Sequence, residues 1–198
     1  MINQTFLNGG YYRVDLNNKL SVLALNTVMY LWKNKGMKEQ GNQLSDQLSW
    51  IEENLRASEP ERKFIFTCHV YFGIKFEGGL KFQWTNESNF EYRRKFLSIL
   101  VRYSDKITIQ IAGHDHHADL RYHRGKIPEF LLVPELNSYI ELYQKWKNQP
   151  VENFIFNNIL INPAITSADG TNPGFSLFDI DTEKGVVHKL HTHYLRIR

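Results

Sequence analysis

At 198 residues and 23.4 kDa the chain has the length of one large domain, and folding at this size buries roughly 70% of the unfolded surface without covalent staples. Hydrophobic residues at 42% and charged residues at 23% exclude a wholly disordered or collagen-like chain. Lys plus Arg exceed Asp plus Glu by 24 to 21, a net charge of +3 that is too mild to mark a nucleic-acid binder, so no nucleic-acid partner is expected.

The single cysteine, Cys68, excludes an intramolecular disulfide and a zinc site built from several thiolates. No apolar run approaches the roughly 20 residues of a membrane helix; the best, Leu20–Leu25, is interrupted by Ser21. Met1 leads into Ile2-Asn3-Gln4-Thr5-Phe6-Leu7 with no basic or apolar leader region. A cytosolic chain and the later part of a longer protein are the two readings of that start.

In chain order, Lys19–Asn26 reads as a buried strand. Asn34 to Asn42 is a polar loop, after which Ser45 and Asp46 are placed to cap a helix with Leu44, Leu48, Ile51 and Leu55 at three-to-four spacing. Glu59-Pro60-Glu61 ends it. Lys63–Cys68 is a second strand, Asn89–Tyr103 a second helix with Phe90, Phe96, Leu97, Leu100 and Val101 on its apolar face, and Lys106–Ala112 a third strand. Leu120–Tyr122 and Phe130–Val133 are shorter strand candidates, and Leu136–Pro150 is ambiguous, with Leu142, Tyr143 and Trp146 spaced so that they could make a short helix. Phe154–Ile161, Phe175–Ile180 and Val186–Leu195 are later strands, the last two joined at Glu183-Lys184-Gly185. No repeat or linker divides residues 1–198, so one α/β domain with a β-rich C-terminal portion is expected.

Chemistry gathers at two strand ends. His69 follows the second strand, and Gly113-His114-Asp115-His116-His117 follows the third. In α/β folds such ends hold reactive groups on rigid sheet margins open to solvent. Neutral imidazole is a common metal ligand, and His114 and His116 are spaced either to share a direction in extended chain or to diverge from a tight turn toward two ions. His117 and His123 are read as structural. His188, His191 and His193 near the C-terminus are read as a solvated edge, with His191 and His193 on one strand face. A Cys68-His69 nucleophile pair is disfavoured because adjacent strand residues point to opposite faces.

Together, His69 and Ala112-Gly113-His114-Asp115-His116 with Asp119 following resemble the C-terminal half of calcineurin-like metallophosphoesterases, and within them the acid sphingomyelinase-like phosphodiesterase branch. Four more stretches carry the likeness in order: Gly9-Gly10-Tyr11-Tyr12, Leu25-Asn26-Thr27, Gln47-Leu48-Ser49-Trp50-Ile51-Glu52, and Asn172-Pro173-Gly174-Phe175 after Asn162-Pro163-Ala164-Ile165-Thr166. The resemblance implies half of a double-sheet sandwich flanked by helices. It also implies a two-metal phosphoric ester hydrolase, with His69 and His114 on one ion and His116 on the other. Zinc is the implied metal, with manganese or iron as alternatives, and a phosphodiester or phospholipid-type substrate is the implied partner.

The family's first Asp-x-His, its Gly-Asp-x-x-Asp and its Gly-Asn-His precede the Gly-Gly-Tyr-Tyr stretch, and none of them stands in Met1–Asn8. The acid-catalyst histidine and the bridging carboxylate belong to those motifs. The chain is therefore expected to be the distal half of such an enzyme, inactive without its N-terminal half. The competing expectation is a non-catalytic metal-binding or interaction protein that keeps part of the fold. The branch is usually secreted or lysosomal. Tyr71, Phe72 and Trp84 could offer aromatic faces to a choline group, against the plainer reading of core packing.

Overall fold

Alternation and apolar runs fix the elements, and the computed structural model describes residues 4–38, 42–76, 80–84, 90–124, 155–167 and 170–196. In order they are α1 (Gln4–Gly9), β1 (Tyr12–Asp15), β2 (Leu20–Ala24), α2 (Gln43–Ala57), β3 (Lys63–Thr67), β4 (Ile74–Phe76), β5 (Leu80–Phe82), α3 (Phe90–Arg102), β6 (Ile107–Ala112), β7 (Asp119–Arg124), β8 (Ile155–Ile161), β9 (Gly174–Asp181) and β10 (Val186–Tyr194). The strand candidate Phe130–Val133 and the helix within Leu136–Pro150 lie outside the described residues.

Six strands form one sheet in the order β1-β2-β3-β6-β8-β7. Its centre, β2, β3, β6 and β8, is parallel, and the edge strands β1 and β7 run antiparallel to their neighbours. A parallel centre must be covered on both faces, which is why β2, β3 and β6 read as near-continuous apolar runs. Helices α2 and α3 cover one face: Leu44, Leu48, Ile51 and Leu55 with Phe96, Ile99 and Leu100 meet Leu23, Phe64 and Phe66. The β9–β10 hairpin covers the other, Phe178, Ile180 and Val187 packing on Leu20, Ile65, Ile109 and Leu160. The expected α/β sandwich, with a second sheet and flanking helices, is the observed architecture. Among the described residues no helix is long and apolar enough to cross a membrane.

Two side chains tie α2 to the sheet at opposite ends. At its C-terminal end Lys106 Nζ donates to the carbonyls of Leu55 (2.8 Å) and Ser58 (2.9 Å), filling acceptors that a helix end leaves open. Near its N-terminal end the fully buried Gln47 exchanges two hydrogen bonds with Asn26 at the end of β2. Asn26 N–H donates to Gln47 Oε1 (2.8 Å), and Gln47 Nε2 donates to Asn26 O (3.2 Å) and to Tyr30 Oη (3.0 Å). Asn26 Nδ2 in turn donates to Gly9 O, and Thr27 Oγ1 accepts from Val70 N–H just past His69. Three of the stretches behind the resemblance therefore meet at one junction. The helix cap differs from expectation: Asn42 stands at the N-cap with no side-chain cap bond, and Ser45 and Asp46 lie within the first turn. Asp46 there complements the helix dipole rather than capping it.

The hairpin is fixed by Gly185. It has φ of +64, and a Cβ there would meet Lys63 Cβ at 2.5 Å, so the turn closes against the sheet only without a side chain.

Two substitutions test this packing. Gln47→Leu leaves the part-buried Asn26 N–H without its acceptor and takes one donor from the buried Tyr30 hydroxyl, which keeps its own bond to Leu44 O, and is expected to cost about 1–3 kcal/mol. Gly185→Ala is expected to cost at least about 1 kcal/mol from its backbone conformation alone, more with the clash. Urea unfolding of the three proteins, compared at equal m-value, measures both.

Candidate metal centre

Because β3 and β6 are parallel neighbours, their C-terminal ends open at the same margin. The ladder runs past the strands: Cys68 N–H donates to Ile111 O (3.0 Å) and Gly113 N–H to His69 O (3.0 Å). His69 and His114 are thereby brought face to edge, ring centroids 5.3 Å apart at 83°. Burial and the neighbouring His69 push the His114 pKa down, so its imidazole is neutral and carries a free lone pair at neutral pH. β8 ends at the same margin, where Asn162 N–H donates to Ala112 O (2.8 Å).

His114 and His116 both adopt positive φ, 80 and 60. Histidine tolerates this region better than most side chains, yet each such residue stores on the order of 1 kcal/mol or more of strain. Between them, Asp115 turns inward, its side chain 1% exposed. Tyr71 Oη donates to Asp115 Oδ2 (2.7 Å), Arg121 Nη2 reaches the same oxygen (3.3 Å), and Lys75 Nζ lies 3.2 Å from Oδ1. Arg121 also donates to Tyr71 Oη (2.7 Å) and to Asp119 Oδ2 (2.6 Å), with its guanidinium 4.7 Å above the Tyr71 ring. Burial alone would raise the Asp115 pKa; the Tyr71 hydroxyl and the two cations override it and hold the carboxyl below its usual range.

The structure thus brings His69 and His114 together, and His116 follows at the same corner, also at positive φ. Among the described residues no group of three His, Cys, Asp or Glu side chains converges in a form that could hold a metal ion. The Asp115 network was not foreseen. An Asp inside a His-rich loop reads as a solvated residue, and its partners Tyr71, Lys75 and Arg121 are remote in sequence.

The other candidates are engaged elsewhere. On β10, His188 and His191 face Asp181 (3.4 Å) and Asp179 (3.5 Å), His193 stacks on Phe175 at 5.1 Å, and a bulge between Val187 and Lys189 displaces His188 from the ladder. His117 contacts the Asp115 carbonyl at 2.7 Å. Tyr71, Phe72 and Trp84 are buried, at 0%, 7% and 1% exposed, which corrects the idea that they offer open faces to choline: they are core. Cys68 packs against both neighbouring apolar clusters, and burial pushes its thiol up to about 12, so it is no activated nucleophile. Iodoacetamide at pH 8 is expected to alkylate native Cys68 more slowly than free cysteine by on the order of 10³-fold, from thiolate fraction alone. After denaturation the rates should converge, as read by mass spectrometry.

No family model matches the chain. Sphingomyelin phosphodiesterase B of Dictyostelium discoideum is 24% identical over 191 residues, covering 94% of this chain and 25% of that protein. The cyclic GMP-AMP phosphodiesterase SMPDL3A of Bos taurus is 25% identical over 203 residues, covering 98% of this chain and 38% of that protein. The chain therefore spans between a quarter and two-fifths of the length of these curated relatives. Among solved structures, a dimetal phosphatase from Danio rerio superposes with a TM-score of 0.50 at 10% identity, over 85% of this chain and 54% of that one. In fold the chain is of the metallophosphoesterase type, and in sequence it is related to sphingomyelin phosphodiesterase B and SMPDL3A.

Proposed function

We propose that this chain supplies the histidine half of a dinuclear metal-dependent phosphoric diester hydrolase, sphingomyelinase-like in its phosphodiester substrate. One observation carries the reading: the His69 and His114 rings stand 5.3 Å apart at the ends of adjacent parallel strands. Two imidazoles that share an ion at Zn–N of about 2.0–2.1 Å place their ring centres roughly 5 Å apart, and the spacing of this pair agrees with that. Its related proteins bear phosphodiesterase names, which supports the substrate class.

In this reading His69 and His114 hold one ion and His116 contributes to the other, with zinc preferred for an imidazole-rich set and manganese or iron as alternatives. When bound, a pair of divalent ions clamps phosphate oxygens and makes a water nucleophilic at neutral pH. The chain's own residues prepare that chemistry. The depressed His114 pKa keeps a donor lone pair available, and the sheet margin brings the two rings side by side. Asp115, engaged by Tyr71, Lys75 and Arg121, is not available as a bridging carboxylate. The anionic donors and the acid that protonates the leaving group then come from a partner segment equivalent to the remainder of the longer relatives.

The test is metal stoichiometry joined to activity. The 198-residue chain is expected to take up one Zn²⁺ through the ring pair, lost in His69→Ala and in His114→Ala, and to leave bis(p-nitrophenyl) phosphate intact. A chain extended upstream through the equivalent of the relatives' N-terminal half is expected to bind two ions, to hydrolyse the diester, and to lose the second ion with His116→Ala. Hydrolysis by the short chain alone overturns the division of labour. One ion or none in the extended chain favours the alternative, a non-catalytic metal-binding or interaction protein that keeps part of the fold.

A further inference from the structure

Between Gly113 and Ala118, Asp115 is the one residue whose side chain is buried, and it sits between two residues of positive φ. Its three anchors come from three places in the fold: Tyr71 from the segment after β3, Lys75 from β4 and Arg121 from β7. A pair of unfavourable backbone conformations persists only where the surroundings over-determine it. Here that restraint comes from inside. The carboxylate is tied to fixed elements, and the Asp115 carbonyl meets the His117 ring at 2.7 Å on the way to β7.

We infer that Asp115 is a positioning residue, whose anchored carboxylate holds the left-handed corner that carries His114 and His116. As far as it concerns metal, this rests on the preceding reading of those histidines as donors. The Asp115 carboxylate is engaged by Tyr71, Lys75 and Arg121, and it acts through the backbone of its two neighbours. Tyr71 is its relay, since its hydroxyl accepts from Arg121 and donates to Asp115. Arg121 reaches Asp115 both directly and through Tyr71, and in the path through Tyr71 each hydrogen bond polarises the next.

The experiment uses the full 198-residue chain with Asp115→Asn and Tyr71→Phe. Asp115→Asn keeps the shape and loses the charge facing Lys75 and Arg121; Tyr71→Phe keeps the ring beneath Arg121 and loses only the hydroxyl. Near-UV circular dichroism establishes that each variant is folded. The first readout is metal-free: backbone chemical shifts and HN–Hα couplings at positions 114 and 116, which report φ. The wild type is expected to show both histidines at positive φ, and the folded variants to leave that region. The second readout is Co²⁺ titration followed through its d–d absorption. Asp115→Asn is expected to lower Co²⁺ affinity by about 10–100-fold, the scale of support lost around metal ligands, with an altered spectrum, and Tyr71→Phe to lower it less in the same direction.

Folded variants that keep the positive-φ pair overturn the inference, as do variants that bind Co²⁺ with unchanged affinity and spectrum. If Asp115→Asn does not fold, Tyr71→Phe decides by the same criteria. A wild-type chain that shows the corner but takes up no Co²⁺ overturns the metal reading instead, and the backbone readout still decides the role of Asp115.

Discussion

The parallel pairing of β3 with β6 is the constraint on which the site depends. Its ladder continues beyond both strands, through Cys68 N–H to Ile111 O and Gly113 N–H to His69 O, so the two histidine segments leave the sheet at one height. A slip of one residue would turn every β6 side chain to the opposite face and part the two rings. The register is set at the other end of the pair. Phe64 faces Ile107 and Ile65 faces Ile109, which leaves Thr108 as an extra residue on β6. Thr108 is not idle there: its hydroxyl donates to the carbonyl of Gly185 in the β9–β10 turn. The same irregularity that aligns the site end thus docks the hairpin on the far face.

Packing on the two faces is unequal, and this matters for where rigidity lies. The helical face buries long apolar side chains in a continuous cluster, with Trp84 stacked between Tyr30 and Phe96 and reaching Phe72. Trp84 Nε1 donates to the Val70 carbonyl, one residue beyond His69, so the largest side chain of that core also restrains the loop bearing the first histidine. Beyond the C-terminal end of β6 Asp115 is held by charge instead. A buried carboxylate is stable only with its partners in place, because removing one leaves an uncompensated charge in a low-dielectric setting. The chain after His69 is restrained from the apolar core through the Val70 carbonyl, whereas the corner of His114 and His116 is tied down by an ionic cluster on Asp115.

The strands at Lys19–Asn26, Lys63–Cys68 and Lys106–Ala112 were legible because a two-sided buried strand must be apolar along its length, and helices α2 and α3 because their apolar faces recur at helical spacing. The hairpin of β9 and β10 announced itself through Gly185. Strand β1 did not: Tyr12-Arg13-Val14-Asp15 is a largely exposed edge whose pairing with β2, not its composition, makes it a strand. The short antiparallel pair β4 and β5 likewise went unread in the sequence. At the site, the strand ends disclosed His69 and His114. The inward turn of Asp115 was hidden because its partners are brought together only by tertiary structure, and local spacing carries no trace of them.

Charge accounts for the form of the proposed site. Imidazole is a neutral donor, so three of them place no negative charge against divalent cations, and the carboxylate nearest in the chain is already balanced by Lys75 and Arg121. Were Asp115 released to bind metal, it would gain one cation and strand two, with the left-handed corner deprived of its inner anchor. Its present arrangement favours geometry over charge: the acid fixes the donors and leaves compensation to others. In the proposed site the anionic donors would approach from the open side of the margin, and that division between neutral donors here and charged donors elsewhere follows from where Asp115 points.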